Sequence, residues 1–472
     1  MANGLARGGG RAAGAGGAGA GGLAARGGAA GPAPAAGPGP GPGPGPPRAR
    51  GGRGGRRAPR AAGAAGAAGG GVGPAAAPRA APERRWGLWP ALPLQPGGSR
   101  ATTLEELVPG KIWALEQLQG TLDVLVNSRM TVVKLQGGGL FCFCPLAPTQ
   151  ELMGLMRGLE SAHGPVRHIV LPTTAVEHKV FLGPFARQFP EADVWAAPLQ
   201  WSVPPLPNRF LGFPARTQDL PASSEGADLP WGSEFEHASV NIPLGIGPFY
   251  EVAFFHRPTG ALLVVDAVVR VPKDPPPVNL AAAESVDCLL FRARRDGQEN
   301  GGSPLEPSAG NLRTGWQKTV LFSLFFQPRS VKPVLSDPGF LVWDDTWEES
   351  FATVEDLLLV PPIVRTLVFS KGPGVVQAWV DTVARWPFRK VIPAHFSAPI
   401  AAGPEDFRKA FAYVTGAPPP APNLLDALVG SLQLGAPRPK VGGKFLEGDM
   451  ELLRGISSFV DSVGLSGSGE TG

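Results

Sequence analysis

Residues 166–178 read Val166-Arg-His-Ile-Val-Leu-Pro-Thr-Thr-Ala-Val-Glu-His178. The first six have the apolar character of a buried strand, and the Pro-Thr-Thr that follows ends the strand in a loop. After His178, apolar residues recur at helical spacing from Lys179 to Phe189, and Ala192-Asp-Val-Trp-Ala196 returns as a strand. The stretch therefore predicts a strand–loop–helix–strand unit in which an acid and an imidazole follow directly after a strand.

A β-meander and a helix are predicted on the N-terminal side of this unit. Strands are expected at Leu107–Trp113, at Thr131–Leu135 and, after a glycine turn at 137–139, at Leu140–Cys144. Thr149 is a suitable N-cap for a helix that extends to about Leu159. This region adds three short strands and one helix to the predicted domain.

Strands and helices also alternate on the C-terminal side. Phe249–Phe255 and Ala261–Val265 predict a hairpin, and Arg389–Pro393 predicts a last strand that ends close to His395. Helical patterns occur between Trp343 and Trp386 and again at Pro404–Val414. Together these elements predict one α/β domain over residues 100–415.

Residues 416–472 are predicted to form a Pro-rich linker and a tail helix around Gly448–Val463. The helix is expected to dock on the domain through one apolar stripe, and a partner interface is the alternative. The stripe comprises Leu452, Ile456, Phe459, Val460 and Val463.

Residues 1–82 have a very different composition from the rest of the chain. They contain ten of the 43 Lys and Arg residues and none of the 39 acidic ones, and they have no aromatic residue. Such a segment buries too little apolar surface to offset the loss of chain entropy, so we expect a disordered arm. Without the arm, the chain has 33 basic and 39 acidic residues, which gives no reason to expect nucleic-acid binding by the folded domain.

The arm is predicted to be a transit peptide, because it carries arginines and no acids. It departs from the usual pattern in having no Ser or Thr before Ser99. An RNA-binding segment is the rival interpretation, based on Arg50-Gly-Gly-Arg-Gly-Gly-Arg-Arg57, and a functionless extension is the third. No apolar run approaches the ~20 residues that cross a bilayer, so we expect a soluble protein.

The cysteines point to a reducing compartment, since Cys142, Cys144 and Cys288 are too few for a disulfide framework. Alternation along a strand would place Cys142 and Cys144 on one face. Buried cysteine is the favoured interpretation for this pair, and metal binding is the weaker alternative.

Four residues are candidates for a metal site, because each falls at or just after the end of a predicted strand, where ligands collect in α/β sheets. They are Glu177, His178, Asp266 and His395. Two imidazoles with carboxylates suit one zinc, iron or manganese ion. By spacing alone, hydrogen-bonded structural roles are the more common explanation for such residues.

The order of elements and the positions of these residues resemble the metallo-β-lactamase superfamily. Its main motif, H-x-H-x-D-H, aligns with Thr173-Thr-Ala-Val-Glu-His178, so that Thr173 and Ala175 replace two His and Glu177 replaces Asp. Its bridging Asp aligns with Asp266 and its last His with His395, whereas no His stands near Gly247. The resemblance implies an αββα sandwich of two mixed sheets flanked by helices, with a degenerate metal motif.

Four longer strings resemble an uncharacterised domain family of plants, algae and cyanobacteria over about residues 108–414. They are Arg129-Met-Thr-Val-Val-Lys-Leu135, Val176-Glu-His-Lys-Val-Phe181, Trp195-Ala-Ala-Pro-Leu-Gln-Trp201 and Ile392-Pro-Ala-His-Phe-Ser-Ala-Pro399. This resemblance implies a chloroplast protein and carries no established activity.

Two functions fit the sequence. The first is a non-catalytic or binding protein, with a small molecule as the expected kind of ligand, that keeps the fold without its chemistry. The alternative is a mononuclear metal-dependent hydrolase of a small ester, lactone, thioester or phosphoester, in which Asp266 or Glu177 orients the water. The remaining His163, His168 and His237 lack partner spacing and are interpreted as structural, and His256 lies at the wrong end of its strand for the site.

Overall fold

The computed structural model describes residues 82–87, 94–121, 124–294, 305–333, 341–415 and 440–462. These residues all belong to one compact unit, which extends from Ala76 to Gly472. The predicted arm therefore lies outside the described residues except for Pro82, and so do residues 416–439 of the predicted linker.

The described residues contain sixteen strands and ten α-helices. The strands are β1 (Thr103–Val108), β2 (Ile112–Thr121), β3 (Val124–Lys134), β4 (Leu140–Phe143), β5 (Val166–Leu171), β6 (Asp193–Ala196), β7 (Thr217–Asp219), β8 (Phe235–Ile242), β9 (Phe249–His256), β10 (Ala261–Leu263), β11 (Val269–Arg270), β12 (Val331–Pro333), β13 (Leu341–Trp343), β14 (Leu357–Leu359), β15 (Lys390–Ile392) and β16 (Lys440–Val441). The helices are α1 (Gln150–His163), α2 (Val176–Ala186), α3 (Ala283–Ala293), α4 (Ala309–Phe325), α5 (Trp347–Ala352), α6 (Pro362–Leu367), α7 (Pro373–Val383), α8 (Pro404–Ala410), α9 (Ala412–Thr415) and α10 (Glu447–Ser462).

Two mixed sheets form the centre of the domain. The first has the order β1-β2-β3-β4-β5-β6-β7, with antiparallel pairing from β1 to β4 and parallel pairing from β4 to β7. The second has the order β15-β10-β9-β8, in which only the β10–β15 pair is parallel. The parallel pairing of β10 with β15 places the residues after these two strands, Asp266 and His395, at the same edge of the sheet.

The packing of side chains shows four layers. One apolar cluster lies between the sheets and joins residues such as Phe141 and Val170 to Phe254 and Ile392. A second joins the outer face of the first sheet to α1 and α2, and a third joins the outer face of the second sheet to α7 and α8. The predicted αββα sandwich is therefore confirmed.

A further cluster joins α3, α4 and the tail helix α10. Met450 and Leu453 are buried in it beside Trp316 and Phe325. The predicted docking of the tail helix is observed, but only part of the predicted stripe contributes to it. Ile456 and Val460 are half-buried, Leu452 and Phe459 are exposed, and Val463 lies outside the described residues. The buried face is rotated from that stripe because it includes a polar anchor, the carboxylate of Asp449, which accepts hydrogen bonds from the Arg329 amide and the Ser350 hydroxyl. None of the helices described here is long and apolar enough to span a bilayer.

Two predicted strand features differ from the structure because of backbone turns. The strand expected at Leu107–Trp113 is divided between β1 and β2 by a turn at Pro109 and Gly110, where Gly110 has a φ of 64° that favours glycine. Cys144 follows β4 with a φ of 60°, which interrupts the alternation. As a result Cys142 packs under the helices and Cys144 between the sheets, and not on one face.

Candidate metal centre

The structure brings three of the four candidate residues together. One ligand atom each from His178, Asp266 and His395 lies within 4.8 Å of the other two. Among the described residues this is the one group of His, Cys, Asp or Glu with such spacing. Residues 178, 266 and 395 come from separate parts of the chain, so the fold itself assembles the cluster.

Each member is carried at the end of a different element. His178 lies in the first turn of α2, because that helix begins at Val176, three residues earlier than predicted. Asp266 follows β10 in a bend, and His395 follows β15. The next residue, Phe396, has a φ of 58°, so the chain turns sharply just after His395.

Two pairs of ligand atoms in the cluster have a spacing that suits one metal ion. His178 Nε2 lies 3.2 Å from His395 Nε2, and His395 Nε2 lies 3.4 Å from an Asp266 carboxylate oxygen. Zinc bonds of about 2.0–2.2 Å to nitrogen and oxygen place neighbouring ligand atoms of a tetrahedron about 3.3–3.6 Å apart. An octahedral ion with bonds of this length gives edges of about 2.8–3.1 Å, so the 3.2 Å edge lies between the two geometries.

The His395 imidazole is oriented by strand β3. Its Nδ1–H donates to the backbone carbonyl of Asn127 over 2.8 Å. Because Nδ1 carries the proton, Nε2 presents its lone pair to the cluster, which is the tautomer that a metal ligand requires.

A polar clamp on β2 and β3 fixes the chain on both sides of His395. Asn127 donates to the Phe396 carbonyl over 3.0 Å and accepts from the Phe396 amide over 2.9 Å. The buried guanidinium of Arg129 donates to the carbonyls of Pro393 and Phe396 and forms an ion pair with Glu116. We refer to Glu116, Asn127 and Arg129 as the β3 clamp.

His178 is held differently from His395. Its side chain is fully buried, and its Nδ1 has no hydrogen-bond partner. Burial and the neighbouring His395 hold the pKa of His178 well below its usual value, so the ring is neutral. Since His395 Nε2 is an acceptor, the His178 proton lies on Nε2 when no cation is present, and it must move to Nδ1 for a cation to be bound.

A buried acid supports the Asp266 loop. Glu251 on β9 is fully buried, and its carboxylate accepts the backbone amides of Val265, Asp266 and Ala267 over 2.8–3.2 Å. Burial and the charge of Asp266 raise the pKa of Glu251, and burial and the charge of Glu177 raise the pKa of Asp266. A nearby cation would stabilise the buried carboxyl groups of Glu251 and Asp266 as anions.

Glu177 lies beside the cluster and is not a member of it. It is half-buried in the first turn of α2, and after burial its charge is the second cause that raises the pKa of Asp266. Burial lowers the pKa of His395, and the Asn127 hydrogen bond and then the charge of Glu177 oppose this effect. Adjacent positions on a helix point about 100° apart, so Glu177 and His178 diverge. Glu177 is therefore a charged neighbour at the rim of the cluster and not one of its ligand residues.

The donor set therefore fits a transition-metal ion. Two neutral imidazole nitrogens and one carboxylate oxygen converge, and the side chains of Asp266 and His395 keep 16% and 13% of their surface exposed. Three protein ligands that leave a position open are the usual arrangement of a hydrolytic zinc site. The residues missed by sequence reasoning are the supporting ones, namely Glu251 and the β3 clamp.

The other histidines interpreted as structural are packed away from the cluster. His163 stacks on Trp113, His168 pairs with Asp193 at 3.3 Å, and His237 bonds to the Pro221 carbonyl. His256 lies at the far end of β9 beside Thr259, as its sequence position predicts. Both strand cysteines are buried, and burial raises the pKa of each thiol, which disfavours the thiolate form that binds metal.

A family model matches more than half of the chain. The family model of a domain of unknown function (DUF4336) matches residues 109–413, which include the whole metal centre. No curated protein matches the chain significantly.

Solved structures of metallo-β-lactamases and of a flavodiiron core resemble the chain at low sequence identity. The metallo-β-lactamase from Hirschia baltica is 12% identical, with 66% of this chain and 97% of that chain covered and a TM-score of 0.32. The metal-soaked flavodiiron core of Flv1 from Synechocystis sp. PCC6803 is 10% identical, with 67% and 61% covered and a TM-score of 0.35. TM-scores this low do not support a fold assignment, so the four-layer arrangement rests on the side-chain packing described above.

Proposed function

Since the chain belongs to the DUF4336 family of domains of unknown function, we propose that its His178, Asp266 and His395 cluster binds one transition-metal ion and that the domain is a mononuclear hydrolase. The substrate class is a small ester, lactone, thioester or phosphoester. The observation that carries the proposal is the convergence of three ligand atoms with edges of 3.2 and 3.4 Å. Zinc is the ion chosen for the test because two imidazoles and one carboxylate with an open position are a usual donor set for zinc.

Individual residues of the chain have separate roles in such a reaction. A bound divalent ion supplies hydroxide at neutral pH by lowering the pKa of its water. His395 is kept in the required tautomer by the Asn127 carbonyl, and Glu251 holds the loop that presents the Asp266 carboxylate. Glu177, at the rim, is assigned the role of general base that accepts the proton of the attacking water.

A second candidate is a non-catalytic protein in which the same ion stabilises the fold. It is favoured by the full burial of His178 and by the small exposed fraction of Asp266 and His395, which restrict access for a substrate. The two candidates share the metal site and differ only in turnover.

Metal stoichiometry tests both candidates. The full chain, purified without chelator or affinity metal, is expected to hold about one zinc per molecule by mass spectrometry, and a His178→Ala, His395→Ala double variant is expected to hold none. A His163→Ala, His237→Ala variant is the matched control and should keep the metal.

The outcomes of this experiment are distinct. A wild type that stays metal-free after zinc, iron and manganese loading would remove the metal site and with it the hydrolase. A loaded protein that turns over none of the four substrate classes, while losing thermal stability on chelation, would support the non-catalytic candidate. Turnover that is lost in the Glu177→Gln variant with metal content unchanged would support the hydrolase.

We also propose a chloroplast destination, supported by the arginine-bearing, acid-free composition of residues 1–82. A fluorescent protein fused after residue 82 is expected to enter chloroplasts, and the same fusion with the ten arginines replaced by alanine should stay outside. Retention of the first fusion in the cytosol, or its binding to RNA, would contradict the proposal and support the rival interpretation of the arm.

A further inference from the structure

A cavity of about 410 Å³ lies where helices α6, α8 and α9 meet β16 and the residues that follow it. The described residues that line it include three cations, Arg365, Lys409 and Lys444, and no acid. None of them belongs to the metal centre. Small-molecule sites have volumes of about 300–1,000 Å³ and contain a few polar groups that orient the ligand, so this cavity has a size that suits a small ligand.

Arg365 is a half-buried cation of this cavity that lacks a counter-ion. No described residue forms a hydrogen bond or an ion pair with its guanidinium. Arg270 and Arg408 are also half-buried, and each of them forms an ion pair with a carboxylate. Burial lowers the pKa of Arg365, Tyr413 opposes this effect, and the like charge of Arg454 adds to it. The described part of the chain therefore supplies this guanidinium with a cationic neighbour and no anionic partner.

Two aromatic rings position this guanidinium without using its hydrogen-bond donors. Its central carbon lies 4.1 Å from the centroid of the Tyr413 ring and 5.5 Å from that of the Phe445 ring. Aromatic rings contact the face of a guanidinium, whereas its N–H groups lie in its plane. None of the Arg365 nitrogens is among the fully buried atoms that lack a partner, so these unpartnered donors are accessible from solvent. Arg365 is therefore held in place with its donors open to an acceptor.

The two lysines that line the cavity differ in how far their charges are neutralised. Lys409 forms an ion pair over 2.7 Å with Glu405, which lies four residues earlier on α8. Lys444 is exposed and forms no ion pair with a described carboxylate. The nearby Glu447 is paired with Arg454 instead. Two positive charges at this cavity, the guanidinium described above and the Lys444 ammonium, therefore have no partner among the described residues.

We propose that this cavity binds a small organic phosphate monoester. A phosphate monoester carries about two negative charges at neutral pH, which matches the two unpartnered cations. Its oxygens accept hydrogen bonds from the in-plane N–H groups of Arg365, whose planar geometry suits phosphate, and the Lys444 ammonium adds a second positive charge. Ala410 and Val441 form an apolar part of the wall, beside which the organic group lies. This inference does not depend on the metal centre or on the proposed hydrolase.

Calorimetric titration of the full chain tests the proposal, and it is done in chelator because a bound metal ion is a second place for phosphate to bind. Phenyl phosphate is expected to bind at about one per chain and at least about fivefold more tightly than phenyl sulfate, which has the same ring and a single negative charge. Equal binding of these two probes, or no saturable binding of phenyl phosphate, would overturn the proposal. Inorganic phosphate that binds as tightly as phenyl phosphate would also overturn it, since the cavity would then hold the anion alone.

Variants of single cations locate the binding site. Arg365→Met is expected to weaken the binding of phenyl phosphate at least about tenfold, because it removes the hydrogen-bond donors as well as a charge. Lys444→Met, at an exposed position, should weaken it about threefold. Arg408→Met is the matched control, since Arg408 lies beside Lys409 on α8 and does not line the cavity. It removes an equal charge nearby and should change the affinity by less than about twofold.

A conservative variant separates a loss of binding from a loss of fold. Arg365→Lys keeps the charge and loses the planar set of donors, so it should lose most of the affinity while its circular dichroism spectrum stays that of the wild type. The proposal fails if Arg365→Lys and Lys444→Met, both folded, bind phenyl phosphate as tightly as the wild type does. It also fails if Arg408→Met weakens the binding as much as Lys444→Met does.

Discussion

The two imidazoles of the metal centre are supported in unequal ways. His395 lies on a short loop that Asn127 and Arg129 of the β3 clamp hold by hydrogen bonds on both sides, and its own Nδ1 donates to a carbonyl. His178 lies on the first turn of a helix, and its Nδ1 has no partner. One ligand is fixed in position and tautomer, while the other is fixed in position alone.

This inequality shows where the site is preorganised. A ligand whose outer nitrogen is bonded is ready to bind metal, and such partners typically change metal affinity by 10–100-fold. His178 must instead place a proton on a buried nitrogen that has no acceptor, which opposes metal binding. The His395 side should therefore dominate both the stability of the site and its affinity for metal.

The largest expected effect comes from breaking the β3 clamp at its ion pair. Arg129→Met leaves the buried carboxylate of Glu116 without its cation, and removing one partner of a buried pair costs about 3–5 kcal/mol. We expect a loss of this size in the free energy of unfolding, measured by urea denaturation of the metal-free protein.

An arginine outside the clamp gives the control for this measurement. Arg157 is exposed on α1, and its replacement by Met should change the free energy of unfolding by less than about 0.5 kcal/mol. If Arg129→Met cost as little free energy of unfolding as Arg157→Met, other contacts would hold the loop of His395. The β3 clamp would then not explain why His395 is better supported than His178.

Much of the fold could be predicted from local pattern. The strand at Val166–Leu171 and the hairpin around Arg257–Gly260 follow from apolar runs and turn residues, and both were confirmed. The Thr149 cap is also observed, since its hydroxyl accepts the Leu152 amide. These features depend on neighbours within a few residues, and so the sequence contains the information needed to place them.

The metal ligands could be predicted as a set, because strand ends in α/β sheets meet at common edges. Their supporting residues could not. Asn127 and Arg129 bond to residues more than 260 positions away, and no local pattern indicates which distant loop a buried polar residue holds. Glu251 gave one signal, an acid inside the apolar strand Phe249–His256. Such an acid predicts a buried partner without identifying it.

The smaller expected effect is on the affinity for zinc, and it rests on the proposed metal site. It is tested by removing one hydrogen-bonding side chain from each side of the metal centre. Asn127→Ala removes two bonds to Phe396, the residue after His395, and should weaken zinc binding about tenfold or more. Gln119→Leu removes a single bond to the Glu177 carbonyl, before His178, and should weaken it by less than about threefold. Competition with a chromophoric chelator measures both. Equal losses, or a larger loss for Gln119→Leu, would show that the helix carrying His178, and not the loop carrying His395, sets the metal affinity.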